Sequence, residues 1–187
     1  MNEVPGSSDV TTIPMLIQAP TSSQFHPLIV LHDGSSKQTI KPPKDQYDTI
    51  WFVVFDRSSL EVLWQDVTND VDNVPAKLKE LDVDTNMLVT VFNAKRPNAL
   101  PQGALYDFLV DCGAGPVLNR LEQVGAQLMC GVDGFIAYSL AGIMGPGLPA
   151  NGAVEAGTPM ESVALNLITL VGVEIDGKVS YTPTPTT

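Results

Sequence analysis

Thr49-Ile-Trp-Phe-Val-Val-Phe-Asp56 is β-branched or aromatic at almost every position. A strand with one face in water would alternate apolar and polar residues. This one does not, so it reads as a strand buried on both faces. Arg57-Ser58-Ser59 then turns the chain, and Leu60 to Val67 alternates and returns antiparallel. That alternation puts Leu60, Val62 and Trp64 on one face and Glu61, Leu63 and Gln65 on the other.

Further out on both sides the same contrast of patterns continues. Pro27 to His32 is a strand closed by the turn Asp33-Gly34-Ser35. Asn73-Val74-Pro75 opens a short helix, with Asn73 as its N-cap and Leu78 and Leu81 facing inward. Asn86 to Asn93 is a second central strand. Pro101 to Cys112 carries Ala104, Leu105, Phe108, Leu109 and Cys112 at helical spacing, and Gly113 ends it. Pro116 to Val124 predicts a second helical stretch with Leu118 and Leu121 inward. Ala126 to Cys130 and Phe135 to Ala141 read as strands around a glycine turn. Ser162 to Glu174 is a long apolar strand, Asp176-Gly177 is a hairpin turn, and Lys178 to Thr182 pairs back. Strands with two or three inserted helices define an α+β class with antiparallel or mixed sheets.

The ends read differently. Residues 1–24 are rich in Ser, Thr and Pro, and only Met15-Leu16-Ile17 could add a short strand, so the segment is expected to be a flexible or partner-docked arm. Residues 182–187 predict an extended proline-threonine tail or linker. Between them, residues 25–181 form the domain.

A chain of 187 residues suits one domain and needs no covalent staple. Its 21 acids against 10 bases, a formal charge of -11, argue against binding to nucleic-acid phosphates or anionic membranes. No run of about 18 apolar residues is present, so membrane insertion is not expected. The first residues lack the basic start and apolar core of a signal peptide. Cys112 and Cys130 leave open a disulfide or two thiols.

The chemistry-bearing groups are sparse. Asp66, Asp70, Asp72, Asp82 and Asp84 do not match a calcium loop and read as solvated acids. Ser139 in Tyr-Ser-Leu-Ala-Gly lacks the paired glycines of a nucleophile elbow. The glycine-rich loop after Phe135 has no lysine to cradle phosphate. Trp51 and Trp64 could stack on a sugar ring, though core packing is the commoner use. Asn93, Lys95, Arg96 and Asn98, after a buried strand, bring together amides and bases suited to sugar hydroxyls or carboxylates. They are the candidate ligand-binding residues. No catalytic residue, metal ligand set or cofactor site is expected.

Several pieces occur in a fixed order: Ile50 to Arg57 with its turn and Leu60 to Leu63, then Leu88 to Asn93, then Leu100 to Ala114, and finally Ala137 to Gly145. Over residues 27–175 this order resembles the interleukin-like EMT inducer (ILEI, or PANDER-like) domain family. The resemblance implies a compact two-sheet β fold with flanking helices and no catalytic residues. The family includes secreted signalling proteins and a sugar-binding stem domain of a glycosyltransferase, and its bacterial and phage copies look like adhesion or surface modules. The family's sugar-contacting acid falls on Asn93, and its arginine has no counterpart near Gly134-Phe135. The expected function is a non-enzymatic recognition module, binding carbohydrate or a protein surface on a virion or cell surface, or a structural subunit of such an assembly.

Overall fold

The computed structural model describes residues 10–20, 25–44, 49–94, 100–128, 136–145, 152–159, 163–175 and 177–186. Ten strands form two antiparallel five-stranded sheets. In the first sheet β10 (Lys178–Pro185), β9 (Val163–Ile175), β1 (Thr11–Pro20), β2 (Leu28–Asp33) and β3 (Ser36–Ile40) lie in that order. The second runs β5 (Val62–Thr68), β4 (Thr49–Asp56), β6 (Asn86–Ala94), β7 (Ile136–Ile143), β8 (Val154–Pro159). Three short helices, α1 (Ala76–Glu80), α2 (Gly103–Asp111) and α3 (Pro116–Leu128), pack on the second sheet.

The layers are therefore sheet, sheet, helices, and β4 is buried on both faces as its composition requires. Trp51, Val53 and Phe55 point into the core between the sheets. Ile50, Phe52 and Val54 point into a second core beneath the helices. Strand β7 obeys the same rule with a size difference. Its Ala137 and Ala141 face the first sheet, while Ile136, Tyr138 and Leu140 face the helices. At Gly142 the backbone of β7 lies so close to the Cys112 carbonyl, at the end of α2, that an added Cβ would sit 1.9 Å from that oxygen. Only glycine permits this approach.

Helix α2 closes as its sequence signals. Gly113 adopts φ 98°, its N–H donates to the Val110 carbonyl, and the Ala114 N–H reaches back to Leu109. This is a Schellman motif. Leu105, Leu109 and Cys112 are buried, Phe108 is partly buried and Ala104 is exposed. Helix α3 starts under an acid from a distant strand. The Glu155 carboxylate on β8 accepts the N–H groups of Gly115, Val117 (2.8 Å) and Leu118 (3.3 Å). That satisfies donors which a helix start leaves without partners.

Five expectations are corrected. Residues 11–20 are not an arm. They form β1, between β9 and β2 in the first sheet, and bury Ile13, Met15, Ile17 and Ala19 at period two. The two prolines inside this strand are compatible with it. Pro14 and Pro20 lie outside the Met15–Gln18 span that pairs with β2. Residues 182–185 are not a tail but the end of β10. The N–H and C=O of Tyr181 bond to Arg57, away from β9, so Pro183 and Pro185, of the same parity, turn their nitrogens to the open edge and cost the ladder nothing. Residues 126–128 continue α3 instead of starting a strand. Asn73 does not cap α1, whose N-cap is Pro75, and its side-chain amide donates to Asp70. Finally, Val62 and Trp64 do not share a face. Val54 pairs with Trp64 and Phe55 with Val62, so Leu63 is a bulged residue. The bulge turns Val62 to the intersheet core and Trp64 towards the helices.

One hydroxyl in this frame has no counterpart. Tyr138 Oη is buried and lacks a hydrogen-bond partner among the described residues, with its ring 5.1 Å from that of Phe92. Burial, then the charge of Glu155, pushes its ionisation well above the usual range. A buried polar group without a partner costs about 1–3 kcal/mol. Tyr138→Phe is expected to leave the melting temperature unchanged or raise it. A drop in the calorimetric melt would show that the hydroxyl is bonded.

Candidate ligand-binding site

The sequence-derived site lies mostly outside the described residues. Lys95, Arg96 and Asn98 are not among them. The backbone of Asn93 is described: it lies one residue before the end of β6, paired with Thr49 on one side and Ala137 on the other.

A different site is visible at one end of the sandwich. The β2–β3 hairpin of the first sheet and the β4–β5 turn of the second border a cavity of about 200 Å³. Its floor is Ile13, Leu31, Leu60 and Tyr181, and its rim is Asp33, Ser36, Gln38, Ser58 and Ser59. The hairpin reverses tightly, since Asp33 pairs with Ser36 and Gly34 takes φ 39°.

The opposite wall is set by Asp56. Its Oδ1 accepts the Ser58 N–H (2.8 Å), the Ser59 N–H (2.8 Å), the Ser58 hydroxyl (2.6 Å) and the Ser59 hydroxyl (3.2 Å). These bonds, led by the Ser58 hydroxyl, hold the Asp56 carboxyl down at about 2. Because the folded value is depressed, the stabilisation is complete above the ordinary value of 3.8 and is lost as pH falls through about 2. The β4–β5 turn is therefore expected to stay ordered at pH 4, and to loosen only as pH approaches 2. Backbone amide chemical shifts of Ser58 and Ser59 followed from pH 5 to pH 2 check this.

Next to that turn, Leu60 has φ 58°. It is the one non-glycine residue with positive φ among those described, and it is buried. A bulky side chain held in the left-handed region carries strain of about 1–3 kcal/mol, and such strain concentrates at functional sites. Arg57 locks the turn to the first sheet. Its side chain donates to the Tyr181 carbonyl (2.9 Å), the Thr182 hydroxyl (3.1 Å) and the Asp84 carbonyl. The cavity thus has walls fixed from both sheets, with hydroxyl, amide and carboxylate groups above an apolar floor.

The other chemistry-bearing groups are engaged in structure. Ser139 is fully buried, and its Oγ accepts from Asn166 Nδ2 at 3.3 Å. Cys112 is a free buried thiol, and burial, with help from Asp82 and Asp111, pushes it up to about 12. Asp70 accepts the N–H groups of Asp72 and Asn73, and Asp82 accepts the Gly145 N–H at 2.8 Å. Trp51 is core, with its indole N–H on Gln65 Oε1 at 3.2 Å, and Trp64 faces the other layer, so the two rings form no common platform. His32 lies exposed on the β2–β3 hairpin opposite Lys37. Among the described residues no three His, Cys, Asp or Glu side chains converge, and no helix is long and apolar enough to cross a membrane.

Sequence reading identified both bordering turns but not the cavity. Asp33-Gly34-Ser35 and Arg57-Ser58-Ser59 belong to different sheets, and only the sandwich brings them together. No protein-family model matches the chain, and no curated protein matches it.

Proposed function

We propose that the chain is a non-enzymatic recognition module of the ILEI/PANDER-like kind, serving on a virion or cell surface, and that it binds carbohydrate. The observation that supports this most is the lining of the sandwich-end cavity. A hydroxyl-rich ring has polar edges and an apolar face. Asp33, Gln38, Ser36, Ser58 and Ser59 offer acceptors and donors for the edges, while Leu31, Leu60 and Tyr181 offer a surface for the face. At about 200 Å³ the cavity is smaller than an ordinary drug-sized site, which suits one sugar ring or the end of a chain. Burial of Ser139 and of the Cys112 thiol supports recognition without covalent chemistry.

A glycan array followed by calorimetry on the best binders tests this reading. Asp33→Asn and Gln38→Ala, both on exposed side chains, are expected to leave the fold intact. Each should weaken binding about tenfold or more, as for loss of a hydrogen bond to a charged or amide group. No binding to any glycan, or undiminished binding in both variants, would reject the site. A second reading, a structural subunit of an assembly, is favoured by the outer face of the first sheet, where Leu165, Leu167 and Val173 are exposed.

A further inference from the structure

Among the described residues the helices pack on the second sheet, so the first sheet turns one face to the intersheet core and no described element covers the other. That outer face is apolar at its centre. Leu167 of β9 pairs with Leu16 of β1, which pairs with Val30 of β2, making an aliphatic row across three strands. Leu165 and Val173 extend it along β9. Leu165 is 56%, Leu167 62% and Val173 50% exposed. Exposed apolar side chains grouped on one sheet face in this way point to an interaction site.

The charge on this face is equally unusual for the chain. The sequence has 21 acids. Yet the outward positions of β1, β2, β3 and β9 among the described residues, at Thr12, Pro14, Leu16 and Gln18, at Leu28, Val30 and His32, at Lys37 and Thr39, and at alternate residues from Leu165 to Val173, include none. Two molecules carrying -11 each repel one another, and across these described positions they could meet without opposing carboxylates.

The dimensions fit as well. Along thirteen-residue β9 the face is about 40 Å long, and five strands make it about 20 Å wide. Its area of roughly 600–800 Å² approaches the ~800 Å² per partner of a standard interface. The sheet edges are poor alternatives. β10 carries Pro183 and Pro185, and β3 is short, polar and carries Lys37.

We propose that the outer face of the first sheet binds the same face of a second copy, forming a two-fold sheet-on-sheet dimer centred on Leu16 and Leu167. The inference is independent of glycan binding in the cavity, which opens at the end of the sandwich and not on this face.

Light scattering on the full chain tests it. The expected mass is twice the 20.0 kDa of one chain. Added sodium chloride should preserve or strengthen the dimer, because it screens the mutual repulsion and no ion pair holds the face together. Leu165→Glu with Leu167→Glu should give a monomer with unchanged circular dichroism. Leu63→Glu, at an exposed leucine of the other sheet, should remain a dimer. A monomeric wild-type chain would overturn the proposal. A dimer that survives the double substitution, or that dissociates in salt, would overturn it too.

Discussion

A chain shortened to begin at residue 21 will not fold. The truncation removes β1, which pairs with β9 along ten residues and with β2 along four. Met15, Ile17 and Ala19 leave the intersheet core with it, as does Ile13 from the cavity floor. Burying one large aliphatic side chain contributes about 1.5–3 kcal/mol, and a whole domain has only about 5–15 kcal/mol of net stability. The facing edges of β9 and β2 would also be left without their ladder partners, and those edges invite aggregation. The expected result is loss of amide dispersion and of a cooperative melt. A truncated chain that still melts cooperatively would mean that β1 is dispensable, and would contradict the sheet order.

Phe52→Ala is the largest single-residue loss expected. Phe52 is fully buried on the helix-facing side of β4, between β5 and β6, in the same core as Leu78, Leu105, Leu109 and Leu118. It lies in the middle layer, where sheet and helices both constrain collapse around a void. A phenylalanine cut to alanine in such a site costs about 3–5 kcal/mol. Denaturant unfolding should show the midpoint falling while the slope stays that of wild type. A change below about 1 kcal/mol would show that the helices do not seal this side of the sheet.

The fold was legible where one residue pattern had one interpretation. Thr49 to Asp56 could only be a doubly buried strand, and Gly113 could only end α2. It was illegible where composition and pattern disagreed. In residues 11–20, threonines and prolines suggest a flexible or partner-docked arm, yet Ile13, Met15, Ile17 and Ala19 already alternate, and the alternation prevails because β9 supplies a partner strand. The end of β10 shows the same conflict. Its prolines suggest a tail, and only the location at a sheet edge makes them harmless. The bulge at Leu63 was unreadable, since a register shift depends on the partner strand and not on the strand itself. The cavity was unreadable for a related reason. Its rim residues are unremarkable polar turn residues until β2–β3 and β4–β5 are brought face to face.

A nitrogen-15 amide titration with hexoses, N-acetylhexosamines and their disaccharides decides whether this cavity holds a sugar. Saturable shifts are expected at Asp33 to Gln38, at Ser58 to Leu60 and at Tyr181, the segments that border the cavity. The absence of saturable shifts with every sugar, or shifts confined to residues 93–98, would contradict sugar binding in the cavity.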